Sequence, residues 1–171
     1  MVSFQKELRK GKGTYDRIIE WKELADKYTN EIRSFIFRWI SFNGLYSASY
    51  EMDNHEKKAE RVPEWKKVEA FCDKFILKDK VLGSQIYSDD KKKIFEENIK
   101  EKSNFMGEYL NNLKHMKTKE EQVKYMVMIA YKIRCRLFHG EKNPNLEVNQ
   151  LVIKTADQVI ETILNHFIKE K

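Results

Sequence analysis

Six glycines and two prolines punctuate a chain of 171 residues. A fold of many short strands needs a turn about every ten residues, and turns draw on these two residue types. Their scarcity argues against a many-turned β fold and for long helices. Cysteine is equally scarce. Cys72 and Cys135 are the only two, far apart and in no C-x-x-C pair, so neither a disulfide framework nor a zinc site is suggested. No apolar run approaches the roughly eighteen residues that a membrane-crossing helix requires. The opening "MVSFQKELRKGKG" lacks the apolar core of a secretory leader. A soluble, cytoplasmic protein is expected, with no metal or cofactor.

What is present is charge set against a substantial apolar fraction. Apolar residues make up 41% and charged residues 35%, the composition of a globular domain with a heavily solvated surface. The length fits one domain with a real core. The net charge is +6 and the isoelectric point about 9.1. Acidic partners such as RNA are compatible with that excess. Acidic residues are interleaved throughout, so a solvated surface explains the charge equally well.

Apolar periodicity places the helices. Residues 14–29 carry Ile18, Trp21, Ala25 and Tyr28 at helical spacing behind a "GKGT" start. Thr29 or Asn30 is positioned to cap a second helix over 31–50, where Phe35, Ile36, Trp39, Ile40 and Leu45 form a broad stripe. Asn43 lies one turn from Trp39 and reads as a buried amide in need of partners. Residues 51–62 are polar and read as a loop. Pro63 suits the first turn of a helix through about Leu77. "KDKVLGSQIYSDD" reads as a loop, with Asp89 or Asp90 capping the helix that follows. Further helices are expected over 104–117 and 119–138, the latter behind a capping box from Thr118 to Glu121. The last runs from about Leu146 to Lys169, with Val148, Leu151, Val152, Ala156, Val159, Ile160, Ile163, Leu164 and Phe167 at steps of three and four. The fold class is therefore all-α, a single bundle of five or more helices over residues 1–171. Residues 31–50 and 119–168 read as its core, and the charged stretch 51–118 as a helical insertion or flank.

One stretch departs from routine patterning. "YKIRCRLFHGEKNPN", Tyr131 to Asn145, ends a helix whose apolar face is Val123, Val127, Ala130, Ile133 and Leu137. Arg134 falls on that stripe or its border, and a guanidinium cannot shed its charge there, so burial demands an acceptor. His139 is five residues on, roughly 140° around an ideal helix. Gly140 suits the left-handed position that ends a helix, which makes His139 the C-cap. The negative end of the helix dipole favours an imidazolium there. A proton-transfer group beside a permanent cation matches what strand cleavage by a ribose 2′-hydroxyl needs. One group moves protons and the other stabilises charge on the pentacovalent phosphate. A capping histidine and a surface-paired arginine would give the same spacing, and spacing alone favours that structural account.

These residues also resemble a known signature. "YKIRCRLFHGEKNP" is similar to the motif of the HEPN superfamily, the higher eukaryotes and prokaryotes nucleotide-binding domain. Its ribonuclease members carry arginine, four to six residues, then histidine late in a helix of an α-helical bundle. Arg134, four residues and His139 match, as does the "LFHG" ending. "RWISFNGLYS", from Arg38, resembles the early helix of some bacterial members. The likeness covers residues 31–50 and 119–168 and leaves the middle unmatched. A polar residue often follows the arginine in active members, where this chain has Cys135, a weak hydrogen-bonding group.

The resemblance implies a homodimer in which two Arg–His pairs face one another across a cleft that holds RNA. His139 of one copy would act as base and that of the other as acid, with Arg134 from both holding the phosphate. Arg136, Tyr131, Lys142 and Asn143 are candidate RNA contacts, Tyr131 by stacking a base or, alternatively, by packing in the core. The activity implied is metal-independent endoribonucleolysis leaving a 2′,3′-cyclic phosphate, in a toxin or phage-defence context. An alternative is a non-catalytic HEPN module that binds nucleotides, RNA or a protein such as a nucleotidyltransferase-like antitoxin. A plain helical scaffold is a third. His55, His115 and His166 receive no role.

Overall fold

The computed structural model describes residues 2–54, 62–99, 104–140 and 146–168. All regular structure in these residues is helical, as the scarcity of turn residues predicts. Helices α1 (Val2–Lys10), α2 (Lys12–Asp26) and α3 (Glu31–Asp53) open the chain. Helix α4 (Glu64–Phe71) runs on into a π-helical turn, Cys72–Ile76. Helices α5 (Lys80–Ile86), α6 (Asp89–Asn98), α7 (Asn104–His115), α8 (Lys119–Phe138) and α9 (Glu147–Phe167) complete it.

Helix α3 is central, packed mainly on α2 and α9, with α4 alongside. Asn30 caps it by accepting a hydrogen bond from the Arg33 amide at 3.1 Å. Its inward face, Phe35, Trp39, Phe42, Leu45 and Tyr46, is fully buried. An aromatic row continues from there. Phe42 meets Phe71 of α4 edge-on at 5.3 Å, and Phe71 meets Phe167 of α9 at 5.4 Å. Such edge-to-face pairs add to the burial of each ring. Gly44 lets α2 come close, since a Cβ there would stand 2.7 Å from Ile18 Cγ1. Asn43 is only half-buried, and its side-chain oxygen accepts from Ser47 Oγ at 3.1 Å.

The π-helical turn has a packing consequence. The Leu77 amide bonds to the Cys72 carbonyl at 3.0 Å, inserting one extra residue into the turn. Phe71, Cys72, Phe75 and Ile76 are thereby all buried. The middle of the chain joins the same core as the ends. Val68, Phe71, Leu82, Ile86, Phe95, Met106 and Leu113 belong to the one apolar cluster that contains Trp39, Ile129 and Ile160.

Two helices depart from the sequence expectations. The opening residues form α1, whose Phe4 and Leu8 are buried and whose Gln5 amide donates to the His166 carbonyl at 3.2 Å at the end of α9. Residues 79–86, expected as loop, are α5 behind an Asp79 cap that accepts from Val81 and Leu82 amides, both at 3.0 Å. A helix of seven residues is too short to declare itself by periodicity. Ser88, not Asp89 or Asp90, caps α6, and the two aspartates instead sit in the first turn beside the helix dipole. The capping box at Thr118 and Glu121 forms as expected. Residues 51–53, expected as the start of a loop over 51–62, instead continue α3 to Asp53, and residues 55–61 lie outside the described residues.

A buried ion cluster ties α2, α3 and α9 together. Arg38, 8% exposed on α3, donates to Ser34 Oγ and to Asp157, to Asp26 at 2.9 Å and to Glu161 at 2.8 Å. Lys22 adds a second cation at 2.9 Å from Asp26. Burial pushes the Asp157 carboxyl up to about 6 against the opposing pull of Arg38. Burial also acts upward on Asp26, but hydrogen bonds from Lys22 and Arg38 hold it below its ordinary value. No helix in the described residues is long and apolar enough to cross a membrane.

Candidate functional site

The site is built on the last turns of α8 and the first turn of α4. Helix α8 buries Val123, Val127, Ala130 and Ile133, which fixes its rotation against the core. Arg134, at the border of that face, is half-buried. Its Nη1 lies 2.9 Å from Glu64 Oε2. The guanidinium also stacks over the Phe138 ring one turn later, 4.8 Å from the centroid. Arg134 Nε is buried with no hydrogen-bond partner among the described residues.

Glu64 is a hub that the sequence reading missed. Its other oxygen accepts from the Tyr46 hydroxyl and, at 3.5 Å, from Trp39 Nε1. One carboxylate thus joins α4, two aromatic residues of α3 and the arginine of α8. Burial, and then the bond to Glu64, push the Tyr46 hydroxyl well above the usual phenol range. The only signal in the sequence was an acid directly after Pro63, which reads as an ordinary first-turn residue facing the helix dipole.

His139 is the C-cap, as expected. Its amide donates to the Cys135 carbonyl at 3.0 Å, so the regular helical pattern reaches it. Gly140 follows with a positive φ of 68° and donates to the Leu137 carbonyl at 3.2 Å. His139 is exposed. Within one chain, then, Arg134 turns toward α4 while His139 lies open to solvent at the helix end.

Of the other candidates, Tyr131 is 8% exposed and packs on Trp39, ring centroids 6.1 Å apart. Packing is therefore its observed role, in place of an offered stacking face. Its hydroxyl is pushed upward, by burial first and then by a hydrogen bond to Cys135. Arg136 is half-buried in the last turn of α8, where a cation complements the helix dipole. Lys142, Asn143 and His55 lie outside the described residues. Cys135 is half-buried rather than sealed in the core, with its sulfur 3.9 Å from Arg134 Nη1. Cys72 is fully buried, and burial drives its thiol far up. His166 lies 3.4 Å from Asp79. Among the described residues no three histidine, cysteine or acidic side chains stand close enough together to hold a metal ion.

Four large apolar side chains at the end of α8 and the start of α9 are exposed. Phe138 is 57% exposed and Leu146, Val148 and Leu151 are between 41% and 52% exposed. The sequence assigned Val148 and Leu151 to the buried stripe of the final helix. The stripe is covered only from Val152 onward, and the first turns of α9 leave it open. No protein-family model, curated protein or solved structure matches the chain.

Proposed function

We propose that the chain is a metal-independent endoribonuclease of the HEPN type that works as a homodimer. The observation that carries this is the pairing of two differently held groups at one helix end. Glu64 grips one nitrogen of the Arg134 guanidinium, and Phe138 supports its plane. His139, one step beyond the helix, is exposed at a cap closed by Gly140. A fixed cation and an accessible proton carrier are the two functions that 2′-hydroxyl attack requires.

In the dimer, His139 of one copy takes the proton of the ribose 2′-hydroxyl. The 2′-oxygen bonds to phosphorus as the bond to the 5′-oxygen breaks, and His139 of the second copy protonates the departing oxygen. Arg134 balances the charge on the phosphoryl oxygens. The products are a 2′,3′-cyclic phosphate and a 5′-hydroxyl end. A toxin or phage-defence role is the context that the HEPN resemblance supplies.

The Arg134–Glu64 ion pair favours a second reading. A guanidinium already neutralised within its own chain suits a non-catalytic HEPN module that binds RNA, nucleotides or an antitoxin-like protein.

RNA cleavage in EDTA separates the two. Wild type is expected to cut and leave cyclic ends, while His139→Ala and Arg134→Ala lose cutting by at least about a hundredfold, the scale on which general acid–base groups act. Equal cutting by all three sinks the assignment to these residues. No cutting by a folded wild-type dimer favours the binding module.

A further inference from the structure

A cavity of about 290 Å³ lies between α4, α7 and α8. Trp65 and Glu69 line it from α4, Glu108 and Tyr109 from α7, and Lys132 from α8. It shares helices α4 and α8 with the candidate site, on a neighbouring face of each, since Trp65 follows Glu64 and Lys132 precedes Arg134 by two residues.

The walls are specific in kind. Trp65 is 39% exposed, so part of its indole is open at the cavity. Lys66 Nζ sits 5.4 Å from its ring centroid, and Tyr125 backs Tyr109 at 6.4 Å. Lys124 holds Glu69 at 3.2 Å. Glu69 and Glu108 line the cavity together with Tyr109, whose hydroxyl is raised by burial first and then by these two carboxylates.

We propose that this cavity takes one nucleobase of the RNA, lifted out of its stack, and that it favours guanine. Stacking on exposed aromatic faces is how proteins hold an unpaired base. The volume is near the lower end for small-molecule sites, about 300–1,000 Å³, so it suits a single ring system and not a dinucleotide. Lys124 offsets the charge of Glu69 and Lys132 lines the same wall, so no excess charge draws a phosphate and the aromatic rings select the base. Ionised carboxylates only accept hydrogen bonds. Guanine presents two adjacent donors, N1–H and the 2-amino group, to the two oxygens of one carboxylate. Uracil presents a single N–H flanked by carbonyls that a carboxylate opposes. Adenine and cytosine each offer one amino group beside a ring acceptor. This inference rests on the ribonuclease reading for its substrate, but its test does not depend on cleavage.

Calorimetric titration of the full chain with guanosine 5′-monophosphate, uridine 5′-monophosphate and spermidine reads the cavity directly. The guanine nucleotide is expected to bind and the uridine nucleotide to bind about tenfold or more weakly. Trp65→Ala should weaken guanine-nucleotide binding by about 5- to 150-fold, the range for loss of one stacked base. Glu108→Gln should narrow the difference between the two nucleotides. Both side chains are surface-accessible, and circular dichroism checks that each variant folds. Guanine-nucleotide binding with no RNA cleavage leaves the cavity assignment standing while the ribonuclease reading falls. Cleavage with no guanine preference and no nucleotide binding overturns the cavity assignment alone. Binding of spermidine in place of guanine nucleotide also overturns it, making the cavity a cation site.

Discussion

Gly140 shows how one residue can set a site. Its φ of 68° lies in the left-handed region, yet a Cβ built there meets nothing within 4 Å. Any cost of a side chain is therefore backbone strain and not a clash, on the order of 1–2 kcal/mol. Gly140→Ala is expected to lower unfolding stability by about 1 kcal/mol, with Gly140→Asn closer to wild type because asparagine tolerates this conformation. Chemical denaturation measures both. Because Gly140 closes the turn that presents His139, the alanine variant should also lose more RNA cleavage than its stability loss explains. Unchanged stability would mean that the turn relaxes to a negative φ. The glycine and its histidine were legible in the sequence because a cap is a local device. Glu64 was not, because its importance comes from Tyr46, Trp39 and Arg134 meeting across three helices.

At the scale of helices the same division holds. Helices α8 and α9 were legible because each is long, and α8 also carries its own cap. Helices α1 and α5 were not, at nine and seven residues, since few apolar positions repeat in so short a span. Arg38 was illegible for a different reason. A charge inside an apolar stripe looks like a break in the pattern until Asp157 and Glu161 of α9 and Asp26 of α2 are seen around it. Removing one partner of a buried ion pair costs about 3–5 kcal/mol, since the other is left unpaired. Arg38→Met is expected to cost that much near neutral pH, mainly through Asp157.

The pH dependence of that loss has a definite sign. Burial already lifts the folded-state carboxyl of Asp157 to about 6, above the roughly 3.9 of an unfolded chain. Arg38 opposes the lift, so its removal raises the folded value further. The folded variant then holds the Asp157 proton more tightly than the unfolded chain does. Its stability should recover as pH falls below that raised folded value toward the unfolded one, and worsen as pH rises through it. Asp26 and Glu161 are partly exposed and keep water as a partner. Urea denaturation of wild type and Arg38→Met at pH 5.5 and 7.5 tests this. The difference between the proteins should be smaller at the lower pH. A difference independent of pH would assign the loss to packing of the arginine stem.

On the scale of the whole molecule, the exposed apolar residues at the end of α8 and the start of α9 call for a cover. Phe138 ends α8, and Leu146, Val148 and Leu151 lead into and begin α9. Single exposed leucines are ordinary, but Leu146, Val148 and Leu151 recur within one turn and a half at the start of α9, the spacing of a helix face that takes a partner. A second copy is the occupant we propose. Self-association involving Phe138, the residue beside His139, would bring the two helix ends together, and the single chain leaves His139 open and Arg134 paired with Glu64. A symmetric contact presents the same patch on both copies, so each substitution counts twice. Val148→Lys with Leu151→Lys is expected to convert a dimer to a monomer by sedimentation. Since both positions are already 41% and 42% exposed, stability should change by no more than about 0.5 kcal/mol. Loss of the dimer with retained folding should abolish cleavage while leaving guanine-nucleotide binding in the α4–α7–α8 cavity intact. If wild type is itself monomeric at micromolar concentration and still cuts RNA, the shared-site mechanism is wrong and a single chain must bring His139 to Arg134. If the lysine variant remains dimeric, the interface lies on another face.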